Sequence, residues 1–158
     1  MSTKDGCDRS TGCGAEVHDA QDVTFTFSDA ATGAPVAGIG DVRLEVFDIT
    51  SVAEFQGSSD WSSPTAPYWA GRYYDAVGFD VTPTSIIPSA YDPGAGTGSL
   101  SDPFHRTGSN MPSESGRIWQ DNFLWSALPG SSLVLRYTNL FYGYHFVSVS
   151  GLSFTAPC

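Results

Sequence analysis

Lysine is almost absent from this chain of 158 residues: Lys4 is the sole example, and lysine and arginine together number seven against 17 aspartates and glutamates. The resulting formal charge of −10 repels phosphate backbones, so nucleic-acid binding lacks its main electrostatic source and no nucleic-acid partner is expected. Anionic membrane surfaces are disfavoured for the same reason. No apolar run approaches the roughly 18 to 20 residues of a membrane span, so membrane insertion is not expected either. Met1 to Ser10 carries no apolar stretch behind its charge, which predicts either synthesis without a secretory signal or a signal removed and Met1 added.

Catalytic signatures are also missing. There is no Gly-x-Ser-x-Gly elbow, no His-Glu-x-x-His and no Gly-Lys-Ser, which removes the usual marks of a serine esterase, a zincin and a P-loop. Gly94 to Gly98 has the glycine spacing of a phosphate turn but lies in a polar stretch without the strand before and helix after that such a turn requires. The chain is therefore expected not to be an enzyme.

Cysteines number three, Cys7, Cys13 and Cys158, so at most one intrachain disulfide forms and one thiol is left over. Cys7 and Cys13 flank a short polar loop that can close locally; Cys158 reaches either only where the termini lie close together. Cys7, Cys13 and His18 have ligand types that suit zinc, with Cys158 as a distant fourth, but the paired Cys-x-x-Cys spacing is missing and a structural role is expected. His105 and His145 stand alone. Calcium is the other cation weighed, at Asp19, Asp22, Asp29, Asp92 and Asp102, where carboxylates fall in loops or at strand ends. Aspartate favours turns in any case, so no cofactor is expected.

What the chain has in quantity is turn formers and aromatics. The 17 glycines and 10 prolines, with frequent serine and threonine, predict many turns between short extended segments, and 10 Phe, 7 Tyr and 4 Trp exclude disorder throughout. The length suits one domain with a sizeable core. Residues 1–21 lack an apolar period and read as a polar arm that orders through a neighbour; residues 22–158 read as a single β domain. Val23, Phe25 and Phe27 alternate with Thr24, Thr26 and Ser28, and Val42, Leu44 and Val46 with Arg43, Glu45 and Phe47, the period of strands with one buried face. Ser132 to Thr138 and Tyr144 to Ser150 repeat the pattern around a five-residue loop with a glycine, a predicted hairpin. In it Leu133, Leu135 and Tyr137 face the core.

The stretch Val23 to Gly38, with Thr32-Gly33-Ala34-Pro35-Val36-Ala37-Gly38 inside it and Val42 to Val46 after it, resembles the opening hairpin of prealbumin-like and Cna-B-like β-sandwich modules. The resemblance covers residues 22–49. It implies a β-sandwich and carries no site over, because the isopeptide-forming lysine of some such modules has no counterpart: Lys4 precedes the strand.

Two segments leave alternatives open. Arg117 to Leu128 is the one good helix candidate, with Ile118, Trp119, Asn122 and Trp125 at helical spacing, and a strand is the close second reading. Pro88 to Gly116 is too long for an ordinary connection and reads as a functional or solvated loop. The fold class expected is all-β, an antiparallel β-sandwich or jelly roll with long loops and at most one short helix.

Function is expected from surfaces. Leu100, Phe104 and Met111 are the apolar anchors of the long loop, with Arg106 to pair an acidic group of a neighbour, and Phe141 and Tyr142 stand at the hairpin tip; all six are candidates for a protein interface. Trp61, Tyr68, Trp69, Tyr73 and Tyr74 are candidates for a platform that stacks on sugars. The leading expectation is a non-enzymatic structural or interaction subunit of an extracellularly exposed assembly, a phage or virus particle component such as a capsid decoration, tail or fibre protein, located on the virion or outside cells. Its partners would be other protein subunits, copies of itself in a trimer or larger. The alternatives are a carbohydrate-binding β-sandwich with glycan ligands and a surface filament or adhesin subunit.

Overall fold

The computed structural model describes residues 2–4, 20–49, 51–55, 71–89, 94–106, 120–139 and 144–157, with the backbone alone at 2–4, 51–55, 71–74, 139 and 144–146. The strands among them are β1 (Ser2–Lys4), β2 (Ala20–Thr26), β3 (Gly40–Phe47), β4 (Ser51–Phe55), β5 (Gly71–Phe79), β6 (Ser85–Ile87), β7 (Gly94–Ala95), β8 (Phe104–Arg106), β9 (Gln120–Ala127), β10 (Ser132–Asn139), β11 (Tyr144–Phe146) and β12 (Ser148–Thr155). They build an all-β sandwich of two antiparallel sheets, in the orders β2-β10-β5-β8-β7 and β12-β3-β9-β6. The strand β4 runs beside the first half of β5, and β1 pairs with β11.

The two alternations read from the sequence are realised. Val42, Leu44 and Val46 of β3 are buried while Arg43 is exposed, and Phe27 closes the inward row that Val23 and Phe25 begin. Leu133, Leu135 and Tyr137 of β10 are wholly buried, as expected. The sheets meet through aromatic rings. Phe79 of β5 stands 4.9 Å from both Phe123 and Trp125 of β9, and Phe104 of β8 stands 5.5 Å from Phe123. Edge-on and tilted geometries at these distances match the quadrupoles of the rings. The Trp125 indole donates to the Val81 carbonyl at 2.8 Å, so burying it leaves no orphan donor.

Both expected hairpins are corrected by the topology. The turn after β2 is tight, with Gly33 at φ 71° and the Asp29 carboxylate accepting from the Ala31 and Thr32 amides and the Thr32 hydroxyl. Yet β3 enters the opposite sheet, so β2 and β3 are not ladder partners. The strand β10 lies between β2 and β5, while β11 pairs with β1 and β12 with β3. Strands adjacent in sequence mostly alternate between sheets, because each then buries its apolar face against its predecessor's. Among the described strands, only β4–β5 and β7–β8 pair as sequence neighbours.

Three further expectations change. The helix candidate is strand β9 over Gln120–Ala127, hydrogen-bonded to β3 on one side and β6 on the other, and the described residues contain no helix. Strand β2 opens at Ala20, and Ser2–Lys4, inside the expected arm, lie in a ladder with β11 of the same chain. The long loop is in part a built element. Within it β7 and β8 pair across a turn in which the Asp102 carboxylate accepts from the Thr97 amide and the Asp102 amide donates to Ser99 Oγ. Gly96 of that turn sits at φ 91°, where a side chain would also strike the Pro103 carbonyl.

Candidate functional site

Two features of the sandwich concentrate chemistry. The first is a buried polar network joining the sheets. Arg106 of β8 donates through Nη2 to Asp121 Oδ2 at 2.6 Å and through Nε to the Ile49 carbonyl at 3.0 Å, and its guanidinium lies 5.5 Å from the Phe104 ring centroid. The other Asp121 oxygen accepts the Ser89 amide at 2.9 Å. Close by, the Tyr137 hydroxyl donates to Asp75 Oδ1 at 2.7 Å, both groups buried. Asp48, just past β3 and at φ 67°, completes the acidic side. Burial, and after it the negative charge of Asp75, push its carboxyl up to about 6. The network spends its hydrogen bonds across strands, and the Asp48 carboxyl is its chemically variable member.

None of Asp48, Asp75, Asp121 and Tyr137 was singled out as part of a polar site by the sequence. A signal existed. Asp121 precedes Phe123 and Trp125, and Asp75 precedes Val77 and Phe79, by the strand period, so each acid falls on an inward face once the strand is recognised.

The second feature is a groove of about 290 Å³ where the two sheets end on the same side, lined by Phe25, Phe27, Val36, Ile39, Leu152 and Phe154. Its walls are the outer strands β2 and β12. Register shifts in β12 after Val149 and after Ser153 bend that strand, and Phe154 meets Phe27 edge-on at 5.0 Å while staying 47% exposed. No charged side chain lines the groove. The Asp41 carboxylate accepts from the hydroxyl of Thr155, which lies between the lining residues Phe154 and Ala156, and Asp29 follows the lining residue Ser28 in the chain. Hydrogen bonds from the Thr32 hydroxyl and then the Thr32 and Ala31 amides hold Asp29 below the ordinary carboxylate value.

The residues expected at an interface are divided. Leu100 is 40% exposed at its turn. Phe104 and Arg106 are instead buried in the chain's own core, because both point inward from β8 and Arg106 finds its acid in Asp121 rather than in a neighbour. Met111, Phe141 and Tyr142 lie outside the described residues, as do Trp61, Tyr68 and Trp69 and the cysteines Cys7, Cys13 and Cys158. Tyr73 and Tyr74 lie on β5, opposite Val52 and Ser51 of β4. Of the calcium candidates, Asp19 and Asp92 are outside the described residues. Asp22 is paired with Arg136 at 2.7 Å, and the Asp29 and Asp102 carboxylates cap their own turns. Among the described residues no group of three or more histidines, cysteines and acids is placed to hold a metal ion.

Comparison with family models, curated proteins and solved structures found no match to this chain.

Proposed function

We propose that this protein is a non-enzymatic interaction subunit of a protein assembly, using the open sides of its sandwich as contact surfaces. The observation that carries the reading is the placement of the exposed large apolar side chains. Val149 and Phe154 lie on β12, at one outer edge of the four-stranded sheet, and Ile87, 53% exposed, lies on β6 at the other. Leu100 belongs to the Ile87 side, since its turn packs through Gly98 against Pro83 and Ile86. Apolar groups at opposite ends of one sheet suit a subunit that meets neighbours on two sides. The buried Arg106–Asp121 pair supports the same reading, because both its charges are committed to holding the two sheets together. The acidic, lysine-poor and turn-rich composition favours an assembly exposed outside cells, such as a virus particle.

Light scattering on the purified chain tests the proposal. The mass expected is that of three chains or more, and the double variant Ile87→Lys, Leu100→Lys should fall to a single chain without losing its thermal transition. A single-chain mass for the parent at every concentration, or a variant that keeps the parent's mass, contradicts it.

A further inference from the structure

We infer that the groove between β2 and β12 is the docking site for an extended apolar segment of a different protein, one with basic residues at its ends. The inference rests on the reading of this chain as an interaction subunit and names the partner of one of its sides.

Three observations converge on that occupant. The first is the hydrogen-bonding edge. Phe27 N–H donates to the Ser131 carbonyl on the β10 side at 2.8 Å, and Val134, on the opposite register of β10, exchanges bonds with Asp80 on the β5 side. Strand alternation then turns the peptide groups of Thr24 and Thr26 away from β10, toward the open edge of β2. Among the described residues no strand is paired to β2 on that side. An extended segment laid there gains main-chain hydrogen bonds as an added strand.

The second is shape. At about 290 Å³ the groove is at the small end of ligand sites, which begin near 300 Å³. It has room for a few apolar side chains from one face of a strand, whose same-face residues recur at about 7 Å. Phe154, half exposed and edge-on to Phe27, supplies the wall that such side chains would cover.

The third is charge. Asp41 is bonded to Thr155 between the lining residues Phe154 and Ala156, Asp29 adjoins the lining residue Ser28 in the chain, and the arginines of the flanking strands are already engaged, Arg43 with Glu45 and Arg136 with Asp22. The local field is therefore negative, on a chain of formal charge −10. A second copy would bring acid against acid. A segment with lysines or arginines at its ends meets the rim with complementary charge.

Calorimetric titration of the full chain with two short synthetic peptides decides the matter. Both alternate valine and threonine; one ends in paired lysines and the other in paired glutamates. The lysine-ended peptide should bind saturably, about tenfold or more tighter than the other, with an advantage that shrinks as salt rises. Thr26→Pro removes an outward N–H without removing a ladder bond, and Phe154→Ser removes the wall; each should weaken binding about tenfold with the melting temperature nearly unchanged. If Thr26→Pro does not fold, Phe154→Ser carries the comparison.

Equal affinity for the two peptides, no saturable binding, or binding indifferent to Phe154→Ser overturns the inference. So does self-association abolished by Phe154→Ser, which would make a second copy the occupant. Solution mass keeps the two readings apart: peptide binding by a strictly single chain contradicts only self-assembly, and an oligomer that ignores both peptides contradicts only the docking site.

Discussion

Arg106 and Asp121 meet at 2.6 Å with both side chains wholly buried, one contributed by each sheet of the sandwich. Neither charge has water to fall back on. The ion pair is tolerated because the remaining capacity of its groups is used by the Ile49 carbonyl and the Ser89 amide. Removing one partner should therefore be far more costly than removing both.

Asp121→Ala is expected to destabilise the fold by about 3 to 5 kcal/mol, since it strands the guanidinium in the core. The double change Arg106→Met, Asp121→Leu should cost less than that single one, because apolar groups of similar volume need no solvation. Urea denaturation of the three proteins measures both. A loss below about 1 kcal/mol for Asp121→Ala, the range of exposed pairs, contradicts the burial.

Asp48 makes stability depend on pH. Its folded-state value of about 6 lies above the ordinary 3.8, so between these limits the folded chain holds more protons than the unfolded one. Stability from this group is complete below 3.8 and is lost as pH rises through about 6. Asp22, held low by its hydrogen bond from Arg136, and Asp29, held low by Thr32, act in the other direction, with stability lost as pH falls below 3.8. Thermal melting should accordingly improve from pH 7.5 toward about 4 to 5 and worsen below that. Asp48→Asn keeps a residue type that accepts positive φ and should flatten the upper limb while raising the melting temperature at pH 7.5. An unchanged profile in that variant assigns the limb to another group.

Leu135 is wholly buried between the sheets, and Leu135→Ala should cost about 2 to 5 kcal/mol. Tyr137→Phe, which preserves the ring but withdraws the hydroxyl from Asp75, should cost about 1 to 3 kcal/mol. Denaturant midpoints check both, and a Tyr137→Phe protein as stable as the parent would show that Asp75 is satisfied without it.

Hydrogen exchange separates a built turn from a solvated loop at residues 96–102. The Phe79 amide donates to the Gly98 carbonyl, the Gly98 amide to the Asp102 carbonyl and the Thr97 amide to the Asp102 carboxylate. These amides should be protected in the isolated chain, before any assembly. Gly96→Ala, strained both by its φ and by the Pro103 carbonyl, should remove that protection. Fast exchange of all three in the parent would contradict an internally ordered turn.

Period-two alternation is enough to place β2, β3 and β10 and their buried faces, because a strand with one wet face announces itself locally, and the abundance of turn formers is enough for the all-β class. Across Arg117 to Leu128 the sequence satisfies two periods at once. Ile118, Trp119, Asn122 and Trp125 fit a helix, Asp121, Phe123 and Trp125 fit a strand, and hydrogen-bonding partners on both sides, β3 and β6, decide for the strand. No local pattern says which sheet a strand enters. That choice sent β2 and β3 into opposite sheets and brought β12 beside β2 to leave the groove. The burial of Phe104 and Arg106 was hidden for a related reason: their surroundings in sequence are polar, and the acid that neutralises Arg106 lies 15 residues away on the other sheet. Composition and periodicity thus determined the class of the fold and which faces are dry. The pairing of distant strands, which sequence spacing does not encode, decided where the charges are buried and which edges remain open.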